Sequence, residues 1–154
     1  HLMFPRALCV FALIVTLFSF LSTLGWAEDS AGIEATPDYT AQAWQALGEG
    51  DHEEVVRQAD ACLKAFGKLA ADQQHADEEI TNLNADDFPE LNSVGTCLFI
   101  LGRSLQKEGD NQEAVKVFKR LINDFEDARC KNEEGYFWKP AIAAQKKLDE
   151  LESE

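Results

Sequence analysis

Basic residues are scarce in this chain: fourteen Lys and Arg stand against twenty-eight Asp and Glu, giving a formal net charge of −14. Such a surface repels phosphate backbones and anionic headgroups, which argues against nucleic acid and peripheral membranes as partners. Basic partners stay open, as does a plain solubilising role for the acidic faces. Catalytic signatures are missing as well. No Gly-rich phosphate loop, Gly-x-Ser-x-Gly elbow, Cys-x-x-Cys pair or EF-hand loop occurs. His52-Glu53-Glu54 lacks the second His of a zinc-protease helix, and His75 with Asp72, Glu78 and Glu79 offers one imidazole among carboxylates, short of a zinc ligand set. Asp86 and Asp87 are neighbours on a loop, whereas glycoside hydrolysis needs carboxylates facing each other across a sugar. The chain is therefore read as noncatalytic, with no metal and no cofactor.

What is present is a repeat. Glu49-Gly50-Asp51-His52-Glu53-Glu54 returns as Glu108-Gly109-Asp110-Asn111-Gln112-Glu113, and at the same offset Ala43 pairs with Gly102, Val55 with Ala114, Ala59 with Phe118, Cys62 with Leu121 and Phe66 with Phe125. A motif shared by chance would not carry its apolar skeleton along. In the second copy Leu98, Leu101, Gly102 and Leu105 share one helical face, and Ala114, Phe118 and Leu121 another. Gly109 ends the first of these helices, and Asp110 or Asn111 caps the second.

The spacing Leu98-x2-Leu101-Gly102-x2-Leu105, Gly109-Asp110, Ala114-x3-Phe118 resembles the tetratricopeptide repeat, a helix-turn-helix unit of about 34 residues. The implied fold is all-α: two such hairpins at 37–66 and 94–126, separated by an insertion at 67–93 and closed by a capping helix at 135–151, in a domain spanning 37–154. The offset between copies exceeds the repeat period by roughly 25 residues. Within the insertion, Lys68 to Ile80 reads as a helix and Asn82 to Pro89 as a loop. In the cap, Trp138, Ala141, Gln145 and Leu148 share a face, with Pro140 in the first turn.

Residues 1–27 read as a signal peptide: Arg6, the uncharged run Ala7 to Leu24, then small residues ending at Ala27 before acidic Glu28-Asp29. Residues 28–36 read as a linker. The run also reaches the shortest length of a membrane span, about 18 residues, so an uncleaved anchor facing the periplasm is the alternative to a free periplasmic or extracellular domain. Export permits disulfides. Cys62 replaces Leu121 of the second copy and reads as a buried free thiol. Cys97 and Cys130 stand at similar heights on neighbouring helices and predict a Cys97–Cys130 bridge.

Stacked hairpins present a groove lined by the first helix of each. The helical phase puts Phe99, Arg103 and Lys107 on that face in the second copy and Thr40 and Trp44 in the first, a candidate site for a protein or peptide. The competing destination for Trp44 and Phe99 is beneath the insertion or the cap. Tyr136, Phe137 and Trp138 form a second candidate surface, either stacking on sugars or stapling the cap to the core. Two repeats leave an open end that a second copy could cover, so a homodimer is open. Over its length, on Asn92 to Gly102 and Gly135 to Lys139, the chain is similar to small secreted bacterial tetratricopeptide proteins of unknown role, some labelled as β-glucanase precursors. That resemblance implies an exported helical scaffold. Cell-wall polysaccharide association and membership in a membrane-anchored envelope complex are the alternatives.

Overall fold

The computed structural model describes residues 38–153; the expectations for a leader at 1–27 and a linker at 28–36 fall outside them. Five α-helices occur among the described residues: α1 (Tyr39–Glu49), α2 (His52–Gln74), α3 (Pro89–Lys107), α4 (Asn111–Asp124) and α5 (Pro140–Glu152). A 3-10 turn, Ala85–Asp87, precedes α3. A short antiparallel ribbon, β1 (Cys130–Lys131) with β2 (Phe137–Trp138), pairs Cys130 with Trp138 and Lys131 with Phe137 ahead of α5. The all-α class holds, and the ribbon is an addition to it. Among the described residues no helix is long and apolar enough to cross a membrane.

The hairpins α1–α2 and α3–α4 turn by the same hydrogen bonds. Gly50 and Gly109 take left-handed backbone, φ 76° and 81°, which glycine enters without a Cβ clash. The next residue sends its N–H back to the closing helix: Asp51 to the Ala46 carbonyl at 2.9 Å, Asp110 to the Leu105 carbonyl at 3.0 Å. The same two aspartates cap the opening helix. Asp51 accepts from the Glu54 N–H at 3.0 Å and Asp110 from the Glu113 N–H at 3.2 Å. One Gly-Asp pair thus ends a helix and starts another, twice.

Matched core positions are buried alike, Val55 with Ala114, Ala59 with Phe118 and Cys62 with Leu121. At the α3–α4 crossing the missing side chain of Gly102 leaves room for the Phe118 ring; a Cβ there would lie 2.4 Å from it. Helix α3 packs against each of the other four helices. Its stretch Val94 to Ile100 is buried without interruption, as expected of a helix surrounded on all sides rather than lying on a surface.

The expected inserted helix does not form as a separate element. Instead α2 runs unbroken to Gln74, because the glycine at 67 costs a helix only about 1 kcal/mol and neither a proline nor a cap stops the Ala- and Gln-rich sequence after it. The extension serves α3. The N-cap of α3 is Phe88, which offers no side-chain acceptor, and Gln73 of α2 takes over: its Oε1 accepts the Leu91 N–H at 2.8 Å and its Nε2 donates to Glu90 at 2.6 Å. Helix α3 consequently begins at Pro89, ahead of the expected 94.

Helix α5 starts with Pro140 in its first turn and buries Ala141, Ala144 and Leu148 against α4 and α3. Gln145, expected on that face, is exposed and donates to Asp149 at 2.8 Å. The buried stripe follows i, i+3, i+7 through the alanines instead.

Candidate functional site

Helix α1, the first half of α3 and the ribbon enclose a cleft of about 440 Å3. Thr40 and Trp44 enter from α1, one turn apart on a single face. Asn92, Ser93 and Thr96 enter from α3, and Arg129, Lys131 and Phe137 from the ribbon. Trp44 is 37% exposed, large for an indole beside a core. Thr40 donates its hydroxyl to Asp38 at 2.7 Å, which fixes the N-terminal turn of α1. The Ala41 N–H donated to this carboxylate, then the Thr40 hydroxyl, hold Asp38 below its ordinary pKa against the opposing effect of burial.

Of the five expected groove residues, the structure brings three into one row. The Phe99 ring lies 6.2 Å from Trp44, and the Arg103 guanidinium stands 5.9 Å above the Phe99 centroid. Phe99 does not face a groove, however. It is 5% exposed, with the Trp138 ring at 5.3 Å edge-on and Phe118 at 6.2 Å. The helical phase of α3 was derived from one buried face, whereas the ribbon lays a second cover on the face that Phe99 occupies. Leu101 and Leu105, expected inward, are only partly buried and pack against the core. Lys107 lies apart: its ammonium donates to the Leu47 carbonyl at 3.0 Å, tying α3 to the end of α1.

The second candidate surface divides into three environments. Trp138 packs on Phe99, Phe137 lines the cleft with the Lys131 ammonium 4.7 Å from its ring centroid, and Tyr136 is 70% exposed. Register explains it, since successive residues of β2 face opposite sides of the ribbon and Tyr136 belongs to its turn. That turn is organised by Asn132, whose Oδ1 accepts the N–H groups of Glu134 and Tyr136 at 3.1 and 2.8 Å.

The expected Cys97–Cys130 bridge is absent; both thiols are free, as is Cys62. Cys97 points from α3 to Cys62 of α2 instead, and this thiol contact, with burial, raises its pKa. Cys130 lies on the Thr96 and Trp138 side of α3. Thr96 and Cys97 are consecutive on the helix, so their side chains diverge by roughly 100°, and Cys97 cannot serve both sides. Burial pushes the Cys130 thiol up, against its contacts with Thr96 and Trp138. Cys62 is a fully buried free thiol, as expected.

Sequence reasoning missed Arg129. Its backbone N–H donates to Asn92 Oδ1 at 2.7 Å and one guanidinium nitrogen donates to the Ile80 carbonyl at 2.9 Å, while Nε and Nη1 are buried without a partner. Beside it, Asp127 accepts from Lys139 at 3.0 Å and from Gln74 at 2.9 Å. Burial alone would raise the Asp127 pKa; Lys139, Gln74 and nearby Arg129 together bring it below the ordinary value. These partners are tens of residues apart, and no local pattern announces them. Among the described residues no three His, Cys, Asp or Glu side chains converge as metal ligands would. His52 shares a 2.8 Å hydrogen bond with Ser104 across α2 and α3, and Asp86 is paired with Lys131 at 2.7 Å. Compared with protein-family models, curated proteins and solved structures, the chain matches none.

Proposed function

We infer that this chain is an exported, tetratricopeptide-like scaffold of two helical hairpins, noncatalytic and without a cofactor, that binds a protein or peptide partner in the cell envelope. The observation that carries the reading is the cleft at Trp44: an exposed indole beside hydroxyl and amide groups of Thr40, Ser93 and Asn92, in a cavity of about 440 Å3. Helical scaffolds use such sites for extended segments, the aromatic supplying contact area and the polar groups register. Export rests on the run Ala7 to Leu24 and the small residues before Glu28; a retained anchor would make the same domain an accessory subunit of a membrane complex.

The test is capture from envelope extract with the full chain, beside Trp44→Ala and Ser93→Lys variants. A protein recovered by the parent and lost with both variants, which then slows amide exchange in residues 40–44 and 92–96, supports the reading. Equal recovery by all three forms overturns it. A second reading, attachment to cell-wall polysaccharide, draws on exposed Tyr136, because a free aromatic face can stack on sugars. Sedimentation with insoluble cell wall that Tyr136→Ala abolishes would favour it over the cleft.

A further inference from the structure

A second cavity of about 560 Å3 lies where β2 meets α5. Its apolar wall is Phe137, Trp138, Ile142 and Ala143, and its charged groups are Arg129, Lys139 and Lys146. No carboxylate lines it, in a chain where acidic residues outnumber basic ones two to one. The adjoining cavity at Gln74 is acidic, lined by Asp77, Glu78, Glu79 and Asp127, with Arg129 and Lys139 on the wall it shares with the first. The apolar hollow therefore carries cations and no carboxylate on its own wall, while Asp127 behind it holds Lys139.

Two further features belong to the same place. Ile142 is 67% exposed. Lys146 stands one turn beyond Ile142 on α5, and among the described residues it forms no salt bridge, unlike Lys139, which is held by Asp127. An exposed apolar side chain is ordinary by itself. Placed against a hollow whose walls are aromatic and whose free cation is one turn away, it completes a surface with complementary demands: one apolar side chain, flanked by negative charge.

We propose that this cavity binds an acidic peptide segment. One apolar side chain of the segment seats against Phe137, Trp138 and Ile142, and a neighbouring carboxylate pairs with Lys146, with Arg129 and Lys139 supplying positive potential behind it. The net negative charge of the chain does not oppose the bound state strongly, since charges beyond about 8 Å are largely screened at physiological salt and the lining decides the rest. A lipid surface fits less well: an anionic membrane would meet the whole acidic exterior, whereas a peptide meets only the hollow. This site shares Arg129 and Phe137 with the cleft at Trp44 but not Trp44 itself, and Ile142 and Lys146 belong to it alone, so its test separates the two.

Random dodecapeptides displayed on phage are selected on the full chain, and the recovered sequences are expected to place Asp or Glu beside Leu, Ile or Phe. A labelled peptide from that pool should lose about tenfold in affinity against Lys146→Glu and at least as much against Ile142→Asp, both at exposed positions of α5 where folding, checked by circular dichroism, is retained. Trp44→Ala should leave its affinity unchanged. Selection of basic peptides or of none overturns the proposal, as does affinity indifferent to Lys146→Glu. Loss of binding in Trp44→Ala alone would move the peptide to the other cleft. Sedimentation of the chain with phosphatidylglycerol vesicles, abolished by Lys146→Glu in the absence of peptide selection, would assign the cavity to lipid and overturn it likewise.

Discussion

The two hairpins share a turn and differ in how they are filled. Gly50-Asp51 and Gly109-Asp110 make the same left-handed bend, the same return hydrogen bond and the same cap. Between the helices, however, the first hairpin sets Ala43 and Ala59 at the positions where the second sets Gly102 and Phe118. Two single methyl groups stand where the second hairpin has no side chain and one large ring. The lesson is that a repeat conserves what its turn needs locally, while the volume at its crossing is shared between partners and can be redistributed so long as the interior stays filled.

The strongest way to break this comparison is to empty the large side of the second hairpin. Phe118→Ala is expected to cost about 3–5 kcal/mol, read as a shift in the urea midpoint, whereas Ala59→Gly at the matched site should cost about 1 kcal/mol. Equal losses would mean that the crossings are filled alike. Next comes Gly102→Ala, whose added Cβ would meet the Phe118 ring at 2.4 Å; a fully buried ring has nowhere to go, and about 1–3 kcal/mol should be lost. Combining Gly102→Ala with Phe118→Leu should restore part of that loss, a non-additivity expected only of groups in contact. Ala43→Gly, by contrast, should cost about 1 kcal/mol and show no coupling to Ala59 beyond a few tenths.

How far these differences could be read from residues alone varies along the chain. The turns were legible from glycine followed by aspartate, except that the second cap, open between Asp110 and Asn111, is taken by Asp110. The core stripe of α4 was legible as well, Ala114, Phe118 and Leu121 being buried as their spacing requires. The phase of α3 was half legible: Leu98 is buried as expected, yet so is Phe99, since the cover over Phe99 comes from Trp138 in a ribbon that short, mixed sequence does not reveal. Of the expected groove residues, Thr40 and Trp44 line the cleft on α1, whereas Lys107 lies apart, bonded to Leu47. Arg129 and Gln73 were missed, since each works through partners distant in sequence.

A sharper difference lies in how each first helix begins. Helix α1 is capped locally by Asp38, which accepts the Ala41 N–H at 3.0 Å, whereas α3 borrows its cap from Gln73. Gln73→Ala should therefore cost about 1–2 kcal/mol, the loss of a buried hydrogen-bond partner, and speed amide exchange at Leu91 while leaving α1 unaffected. Asp51→Ala and Asp110→Ala should each cost about 1 kcal/mol and by nearly equal amounts; a twofold disparity would show the turns to be less alike than their hydrogen bonds.

The smallest effect concerns acid. Asp127, held by Lys139 and Gln74, has its folded pKa below its unfolded one. A depressed carboxyl contributes stability above its unfolded value of about 3.9, and loses it as pH falls through the folded value. Asp127→Asn should lower stability slightly near neutrality, a small loss because the side chain is partly solvated, and leave a shallower acid limb below about pH 4, where the parent loses the same contribution. Asp38, bonded inside the first hairpin rather than between segments, has the same sign of shift and should act on α1 alone.

The sequence by itself determined that this domain is helical, where its two tight turns fall, and which stripe of α4 is buried. Each of these depends on neighbours within one or two helical turns, where spacing and backbone preference suffice. Only the tertiary structure decided that α2 would outrun its repeat to cap α3, that Cys97 would meet Cys62 rather than Cys130, that Phe99 would be covered, and that Lys139, Lys146 and Arg129 would line one apolar hollow. Those outcomes depend on which side chains from distant segments share a space, and packing and electrostatics act across space without regard to order along the chain.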